Sequence, residues 1–437
     1  MPTWQLNVVV SNARRDVAQM PAMDLTRRLK LAAYHFWKIF DGAGTEFLEA
    51  YSKVSESDYL QAARVLLSDP ETIISSFNPM PSSNADDVAR YIGGFLRAAD
   101  EAIADGDFGS RPHDADLEWR IAGAPEKAYF IPMSPRAFRG QKDPKLDFRR
   151  FEQRGLLKNR IIPGTIDGAN VRIKFVEKDQ GASANMAFGG VLYPSMTFVY
   201  DDPDGDFIVT GVRCAQLAEI NREAVKAAHK DGCSIAVFPE LTVDQASLKS
   251  IIDDLETKPW LQDEDDDVSI SGPTLVVAGS WHYEDSGVYY NIATVLDGNG
   301  ECLLRHSKRL PYRESSTGRL ERIAVGKELA VLVLEEGLFG FGVCLDYCHE
   351  GYDTPYGALD VDFVLVPSCG NQTTMEGHVA RAAQLGIRRK MRAFVVQQAD
   401  PLLANGDMGF ILPPLAITHG TRVDKLKVKR SWTVATT

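Results

Sequence analysis

The stretch FGFGVCLDYCHE, from Phe339 to Glu350, decides the fold of the second half of the chain. Its first residues are apolar and punctuated by glycine, which predicts a buried strand with Cys344 at its end. In an α/β protein the turn after a strand exposes one side chain while the sheet holds it still, so chemistry is commonly placed there. A thiol in this position can be a nucleophile, a metal ligand or a small core residue.

Length and charge narrow the classes of protein that the chain can represent. The 437 residues are enough for two or three domains, each with its own core. The net charge of −12 disfavours binding to nucleic acid or to an anionic membrane surface. The six cysteines show no paired CxxC spacing, which predicts reduced thiols in the cytoplasm. The N-terminus lacks a signal-peptide pattern, and no apolar stretch reaches the roughly 18 residues of a membrane helix.

Residues 1–104 are predicted to form a helical domain. The clearest helix covers Asn84–Ala104, where apolar residues recur at helical spacing along one face. Asp24–Phe40 and Tyr59–Leu67 show the same periodicity. An apolar helical stripe is usually core, and this region carries no catalytic constellation, so we interpret it as a packing domain or a site for a protein partner.

The character of the sequence changes in the second half. Residues 105–187 are predicted to be a linker and a mixed region of unknown fold, and residues 188–437 to be one α/β domain. Strands and helices alternate there, which predicts a layered fold. Hairpin signals, such as the GNG turn at Gly298–Gly300, indicate mixed rather than purely parallel sheets.

Three of the predicted strands are followed by groups that complement one another. Glu240 follows VFP, Lys308 follows a hairpin strand, and Cys344 follows GV. A thiol can attack an electrophilic carbon, and a carboxylate can take its proton and pass it to a leaving nitrogen. An ammonium can hold the negative charge that develops on the attacked group. The sequence therefore predicts that these three residues form a catalytic site.

The second half resembles the nitrilase superfamily of carbon–nitrogen hydrolases. The resemblance covers about residues 207–415, and its order and spacing agree throughout. Its segments are AVFPELTV, GSWHYEDSGVYYNIATVLDGNGECLLRHSKRLPYRE, FGFGVCLDYCHEGY, VDFVLVPSCGN and RAAQLGIRRKMRAFVVQQAD. The turn CLDYCHE departs from the family pattern, and the first 190 residues or so lie outside it.

The resemblance implies an αββα four-layer sandwich with a Glu–Lys–Cys triad at Glu240, Lys308 and Cys344. It implies that Glu314 is the second glutamate of amidase-like members, which bonds the lysine and helps to orient substrate. The N–H of Leu345 would complete an oxyanion site with Lys308. The family needs no metal or organic cofactor, commonly forms homo-oligomers, and acts on small amides or nitriles; Glu314 favours amides. His282 is a candidate for the substrate pocket.

Several alternatives remain open from the sequence alone. Cys344 is an inert buried thiol if the other two groups do not reach it. Cys348 is an alternative nucleophile, and a metal site would draw on thiols and histidines, namely Cys344, Cys348, His349, Cys369 and His378. The function is a hydrolase with a covalent thioester intermediate, an acyltransferase with the same intermediate, or a ligand-sensing or interaction module without turnover.

Overall fold

A computed structural model describes most of the chain: residues 24–42, 45–67, 84–107, 112–133, 156–177, 186–201, 205–262, 272–314, 317–349, 355–417 and 423–437, with residues 11 and 15. The N-terminal unit contains helices α1 (Leu25–Lys38), α2 (Thr45–Lys53), α3 (Glu56–Leu67) and α4 (Ala85–Asp107). The predicted helical character of this region is confirmed, whereas α2 was not predicted. Most of residues 1–23 of the predicted helical domain lies outside the described residues.

A two-stranded sheet connects the helical unit to the rest of the molecule. The segment contains α5, β1 and β2 (Ala115–Glu118, Ala128–Pro132 and Asn159–Pro163), and the two strands pair antiparallel. Phe130 and Ile161 pack among the N-terminal helices. Tyr129 and Ile162 pack on the opposite side, against the large sheet of the second half. Because successive side chains of a strand point to opposite faces, this sheet belongs to both cores.

The remaining strands are β3 (Thr165–Ile166), β4 (Ala169–Phe175), β5 (Ala187–Val191), β6 (Thr197–Asp201), β7 (Ile208–Arg213), β8 (Ile235–Val237), β9 (Leu275–Asp285), β10 (Val288–Asp297), β11 (Cys302–Ser307), β12 (Glu328–Leu334), β13 (Gly337–Phe341), β14 (Phe363–Gly370), β15 (Arg392–Ala399), β16 (Gly409–Leu412), β17 (Leu426–Val428) and β18 (Trp432–Thr436). The helices between them are α6 (Leu217–Lys230), α7 (Gln245–Thr257), α8 (Leu345–Cys348), α9 (Tyr356–Leu359) and α10 (Gln372–Arg389).

Two mixed sheets dominate this half of the molecule. One has the strand order β11-β10-β9-β8-β5-β18, and the other β17-β16-β15-β14-β13-β12-β4-β3. Both contain parallel and antiparallel pairs, as the hairpin signals predicted; β9, β10 and β11 form an antiparallel meander, whereas β13, β14 and β15 run parallel. Strands β6 and β7 form a separate hairpin across the predicted turn.

The two sheets pack face to face, with helices on their outer sides. Side chains of both sheets meet in one core, which includes Val237 and Val277 from the first sheet and Leu365 and Phe394 from the second. Helices α6 and α7 cover the other face of the first sheet, and α10 covers that of the second. These layers have the αββα order that the family resemblance implies.

The large sheet begins earlier in the chain than the sequence indicates. Strands β3 and β4 lie in residues 165–175, and β4 pairs parallel with β12. From the sequence, these residues are predicted to belong to a mixed region of unknown fold, and the α/β domain to start at residue 188. The pattern of β4, ANVRIKF, alternates buried and exposed residues, as expected for an edge-proximal strand, but its partner lies more than 150 residues away. Short local patterns do not reveal such pairing.

None of the helices in the described ranges is both long and apolar enough to cross a membrane.

Candidate active site

Cys344 lies at a sharp turn between β13 and α8. Its backbone φ of 46° and ψ of −105° lie outside the regions that non-glycine residues normally adopt. Its N–H donates to the carbonyl of Pro367, 2.9 Å away on the neighbouring strand, and this bond helps to hold the turn. Strained backbone of this kind is typical of functional sites, because the surrounding structure must enforce it. The side chain is buried, with 5% of the residue exposed.

Lys308 follows β11 and carries its ammonium group into the same region. Nζ donates to Oε1 of Glu240 at 2.8 Å and to Oε2 of Glu321 at 2.7 Å. The residue is 2% exposed. Burial lowers the pKa of this amine, but the two carboxylates outweigh burial and hold the pKa well above its usual value. Lys308 is therefore an ammonium at neutral pH.

Glu240 follows β8, and separate donors bind each of its two carboxylate oxygens. Oε1 accepts from Lys308 and from Nδ2 of Asn291 at 3.0 Å, and Oε2 accepts from the N–H of Cys369 at 3.0 Å. Burial raises the pKa of Glu240 above its usual value, and the positive charge of Lys308 acts in the opposite direction. Cys344 Sγ donates to the carbonyl of the same Cys369 at 3.4 Å, so Cys369 connects the thiol to this carboxylate. A carboxylate with a raised pKa near a thiol is suited to accept the thiol proton.

The Cys344 thiol is protonated in this environment. Burial raises the pKa of Cys344 well above its usual value, and the negative charge of Glu240 raises it further. The positive charge of Lys308 lowers it. A thiolate therefore forms only when a base takes the proton, and Glu240 is positioned to do so. The structure brings Glu240, Lys308 and Cys344 together, as the sequence predicted.

The second glutamate is Glu321, and the prediction of Glu314 as the partner of Lys308 is wrong. Glu314 bonds Thr317 and Arg319 instead. The chain reverses between Tyr312 and Glu321: the N–H of Glu321 donates to the Tyr312 carbonyl, and that of Glu314 donates to the Arg319 carbonyl. Glu314 therefore lies two residues further from Lys308 than Tyr312, the residue opposite Glu321. Two residues of extended chain span about 7 Å. Sequence distance from the lysine could not reveal this reversal.

His282 lies behind Glu321 and not in an open pocket. Its Nδ1 accepts from the N–H of Val209 at 2.8 Å, so the ring proton is on Nε2, which donates to Oε1 of Glu321 at 3.0 Å. The side chain is fully buried. Both ring nitrogens are occupied by the protein, so the prediction that His282 binds substrate does not fit its surroundings. Its contacts orient Glu321.

Asn291 was missed as a site residue, although its YYN motif contributed to the family resemblance. It lies on β10 directly opposite His282, and its Nδ2 donates to Oε1 of both Glu240 and Glu321. The residue is completely buried. One amide group thus bridges the two carboxylates that flank Lys308, and this keeps their separation fixed.

Leu345 and Asp346 complete the turn that follows Cys344. Leu345 is the first residue of α8, where an N–H has no acceptor within the helix and can bond an oxyanion. Asp346 Oδ1 accepts from the N–H groups of Arg309 and Leu310 at 3.0 and 2.8 Å. This carboxylate ties the segment after Lys308 to the turn that carries Cys344.

The other thiols of this region face different surroundings. Cys348 packs against Gly377 of α10, where a Cβ atom would lie 3.3 Å from the cysteine Cβ. Burial raises the pKa of Cys348 to about 11. In the described ranges, no three His, Cys, Asp or Glu side chains are arranged to hold a metal ion.

Among known proteins, only solved structures are similar to this chain. No protein-family model matches the chain. No curated protein matches it either. A double mutant of the amidase from Nesterenkonia sp. AN1 in complex with acrylamide is 15% identical over 59% of this chain and 92% of that chain, with a TM-score of 0.41. A second mutant of the same nitrilase-superfamily amidase is 16% identical over 57% and 90%, with a TM-score of 0.39.

Proposed function

We propose that this protein, whose second half is nitrilase-like, is a carbon–nitrogen hydrolase that acts on a non-peptide amide-type bond through a covalent thioester. One observation carries the proposal. The Lys308 ammonium is bonded to both Glu240 and Glu321 beside the Cys344 thiol, all of them buried. Burying three charges is costly unless they are paired, and an arrangement that also includes a nucleophile is typical of an active site.

In the acylation step, Glu240 takes the proton of Cys344 while the sulfur attacks the carbonyl carbon of the substrate. The carbonyl oxygen becomes an oxyanion, stabilised by the ammonium of Lys308 and the N–H of Leu345. Glu240 then gives its proton to the substrate nitrogen, the carbon–nitrogen bond breaks, and an amine or ammonia leaves. The acyl group stays on Cys344 as a thioester.

In the second step, Glu240 takes a proton from water, and the resulting hydroxide attacks the thioester. The same oxyanion contacts stabilise this intermediate. The carbon–sulfur bond breaks, Glu240 passes its proton to the Cys344 sulfur, and a carboxylic acid is released. No cofactor enters this sequence, and Lys308 remains charged throughout because Glu321 stays paired with it. Burial raises the pKa of Glu321, but the Lys308 charge outweighs burial and lowers it below its usual value.

Intact-protein mass spectrometry tests the proposal. Wild type is incubated with a panel of short amides, ureido compounds and nitriles, and the experiment is repeated with Cys344→Ala. We expect an acyl adduct and ammonia release from wild type and neither from Cys344→Ala. Cys348→Ala is the matched control, since it removes a neighbouring thiol and should form the same adduct.

The outcomes separate the alternatives. An adduct that forms on Cys348 rather than Cys344 would contradict the assignment of the nucleophile. An adduct that is discharged by an added amine faster than by water indicates acyl transfer rather than hydrolysis. A folded protein that forms no adduct with any member of the panel, and whose Cys344 is no more reactive than its other thiols, would favour the binding module.

A further inference from the structure

His306 is a buried histidine that has no part in the mechanism above. It lies on β11, two residues before Lys308, and is 2% exposed. The pairing with β10 continues through Lys308, whose N–H donates to the Asn291 carbonyl at 2.8 Å, so His306 and Lys308 share one face of this segment. Neither ring nitrogen of His306 makes a hydrogen bond within the ranges that the structure describes. Buried polar groups without a hydrogen bond are costly, so this histidine calls for a role.

Asp346 is the charged residue that His306 faces. Nε2 of the histidine lies 3.7 Å from Oδ2 of Asp346, which is longer than a hydrogen bond but within the distance of an ion pair. Both side chains are almost completely buried, at 2% and 4% exposed. A ring proton on Nε2 therefore faces a carboxylate, whereas Nδ1 has no acceptor in the same ranges. The proton accordingly belongs on Nε2.

The Asp346 carboxylate has room for one further donor. Oδ1 accepts from the N–H groups of Arg309 and Leu310, and Oδ2 accepts from the N–H of Val343 at 3.2 Å. An ionised carboxylate offers about four acceptor sites, so these bonds leave one open, on the oxygen that His306 faces. A movement of about 0.7 Å would bring Nε2 to hydrogen-bond distance of Oδ2.

These contacts connect the two segments that build the site. Val343 and Asp346 lie on either side of Cys344, so the Asp346 carboxylate spans the turn that carries the thiol. Its remaining partners lie on either side of Lys308 in the sequence: His306 before it, and Arg309 and Leu310 after it. One carboxylate therefore holds the Lys308 segment against the Cys344 turn from both sides. Without His306, that segment would be held to Asp346 only after Lys308.

We propose that His306 is a positioning residue of the hydrolase, which donates to Asp346 and thereby fixes the Lys308 ammonium relative to the Cys344 turn. A substrate oxyanion must bond Lys308 and the N–H of Leu345 at the same time. These two groups belong to the two segments that Asp346 connects, so their separation depends on how firmly that carboxylate is held. The inference rests on the proposed function, because it gives His306 a role in the acylation of Cys344.

The rate of acyl-adduct formation on Cys344 tests this role, measured on the full chain with the amide of the panel that labels wild type fastest. His306→Leu removes the donor. We expect the rate to fall about 10- to 100-fold, since a displacement of about 1 Å at a catalytic group can cost that much. His306→Gln keeps an N–H near the position of Nε2 and should react within a few-fold of wild type. A purely structural role would lower the thermal midpoint in both variants without this rescue of the rate.

His229→Leu is the matched control, since it removes another buried histidine, 6% exposed, far from the thiol. His229 lies near the end of α6, just before β8 begins, whereas Glu240 follows the other end of that strand. We expect adduct formation within a few-fold of wild type. If His306→Leu does not fold, His306→Asn takes its place. The shorter amide of asparagine reaches only the position of Nδ1, so this variant should be slow where His306→Gln is fast.

A double-mutant cycle tests whether His306 acts through Asp346. We expect His306→Leu combined with Asp346→Asn to form the adduct no more slowly than Asp346→Asn alone, because loss of the carboxylate already removes what His306 holds. The losses of unfolding free energy in the same variants, from denaturant titrations, should also be non-additive. The unfolding measurement needs no substrate.

A wild-type rate in folded His306→Leu overturns the proposal, as do equal rates in His306→Asn and His306→Gln. A double variant whose loss is the product of the two single losses also overturns it, because His306 would then act independently of Asp346. If wild type forms no adduct with any member of the panel, the hydrolase is contradicted, and the unfolding cycle still decides on the contact. Additive losses then overturn the link between His306 and Asp346, and non-additive losses support it.

Discussion

Two buried ionic clusters in this molecule differ in one respect that matters for function. One is the Glu240–Lys308–Glu321 cluster; the other joins Arg160 of β2 to Asp362, with Nη2 and Oδ1 2.6 Å apart, and to Asp360. In both clusters the cation lies between two aspartates or glutamates, and Arg160 and Lys308 are each 2% exposed.

The difference lies in what adjoins each cluster. Beside Lys308 is a thiol on a strained turn, followed by Leu345, the first residue of helix α8. Arg160 instead ties the N-terminal segment to the turn between α9 and β14, and Asp362 also accepts from the N–H of Leu338. Buried charge alone therefore does not identify an active site. On the proposed function, the thiol beside Lys308 distinguishes a reactive cluster from a structural one.

Paired substitutions of the two cations test this contrast most strongly. Lys308→Met and Arg160→Met each leave buried carboxylates without their cation. Both should therefore lower the free energy of unfolding, by about 3–5 kcal/mol. Lys308→Met should also slow acyl-adduct formation about 100- to 1,000-fold, because it removes an oxyanion contact. Folded Arg160→Met should react within a few-fold of wild type. Denaturant titrations and adduct kinetics measure the two effects, and similar rates in the two variants would erase the distinction.

Glu321→Gln should produce the next largest effect. The variant keeps shape but loses the charge that pairs with Lys308, and changes of this kind in groups that orient a catalytic residue cost about 10- to 100-fold. The rate of acyl-adduct formation is the measurement. A rate equal to that of wild type would mean that Glu321, like Asp362, has only a structural role.

The pH dependence distinguishes the reactive cluster in another way. Glu240 must be ionised to accept the thiol proton, so kcat/KM falls as pH falls through its pKa. Burial raises that pKa above the usual value of 4.5, so half of the activity should be lost at a pH above 4.5. Activity measured across the acid range checks this, with unfolding followed in parallel. A protein that remains fully active down to pH 4 would contradict the role of Glu240.

Glu314→Gln should have the smallest effect. Its carboxylate bonds Arg319 and Thr317 at a partly exposed turn, and pairs of this kind contribute little. We expect adduct kinetics within about threefold of wild type, and a thermal midpoint near that of wild type. A loss of adduct-formation rate as large as that of Glu321→Gln would show that Glu314 does belong to the site.

Much of the site could be predicted because it depends on local pattern. Glu240 and Lys308 follow strands β8 and β11 of the first sheet, and Cys344 follows β13 of the second. The ends of these recognisable strands meet because the two sheets pack face to face. What could not be predicted depends on contacts between distant segments. Glu321 reaches Lys308 through a chain reversal, and His306 faces Asp346 because the two sheets pack together. Strand β4 joined the sheet through pairing with β12, for which its own residues gave no signal.

The β1–β2 pair has a consequence for how the chain can be divided. Phe130 and Tyr129 are neighbours in sequence, yet one fills the helical core and the other the core of the sandwich. A shorter protein that begins at residue 188 would lose Tyr129 and Ile162 from the second core, together with β3 and β4. Strands β1 and β2 therefore contribute side chains to the cores of both halves. We expect the two halves to unfold in one cooperative transition rather than as separable modules.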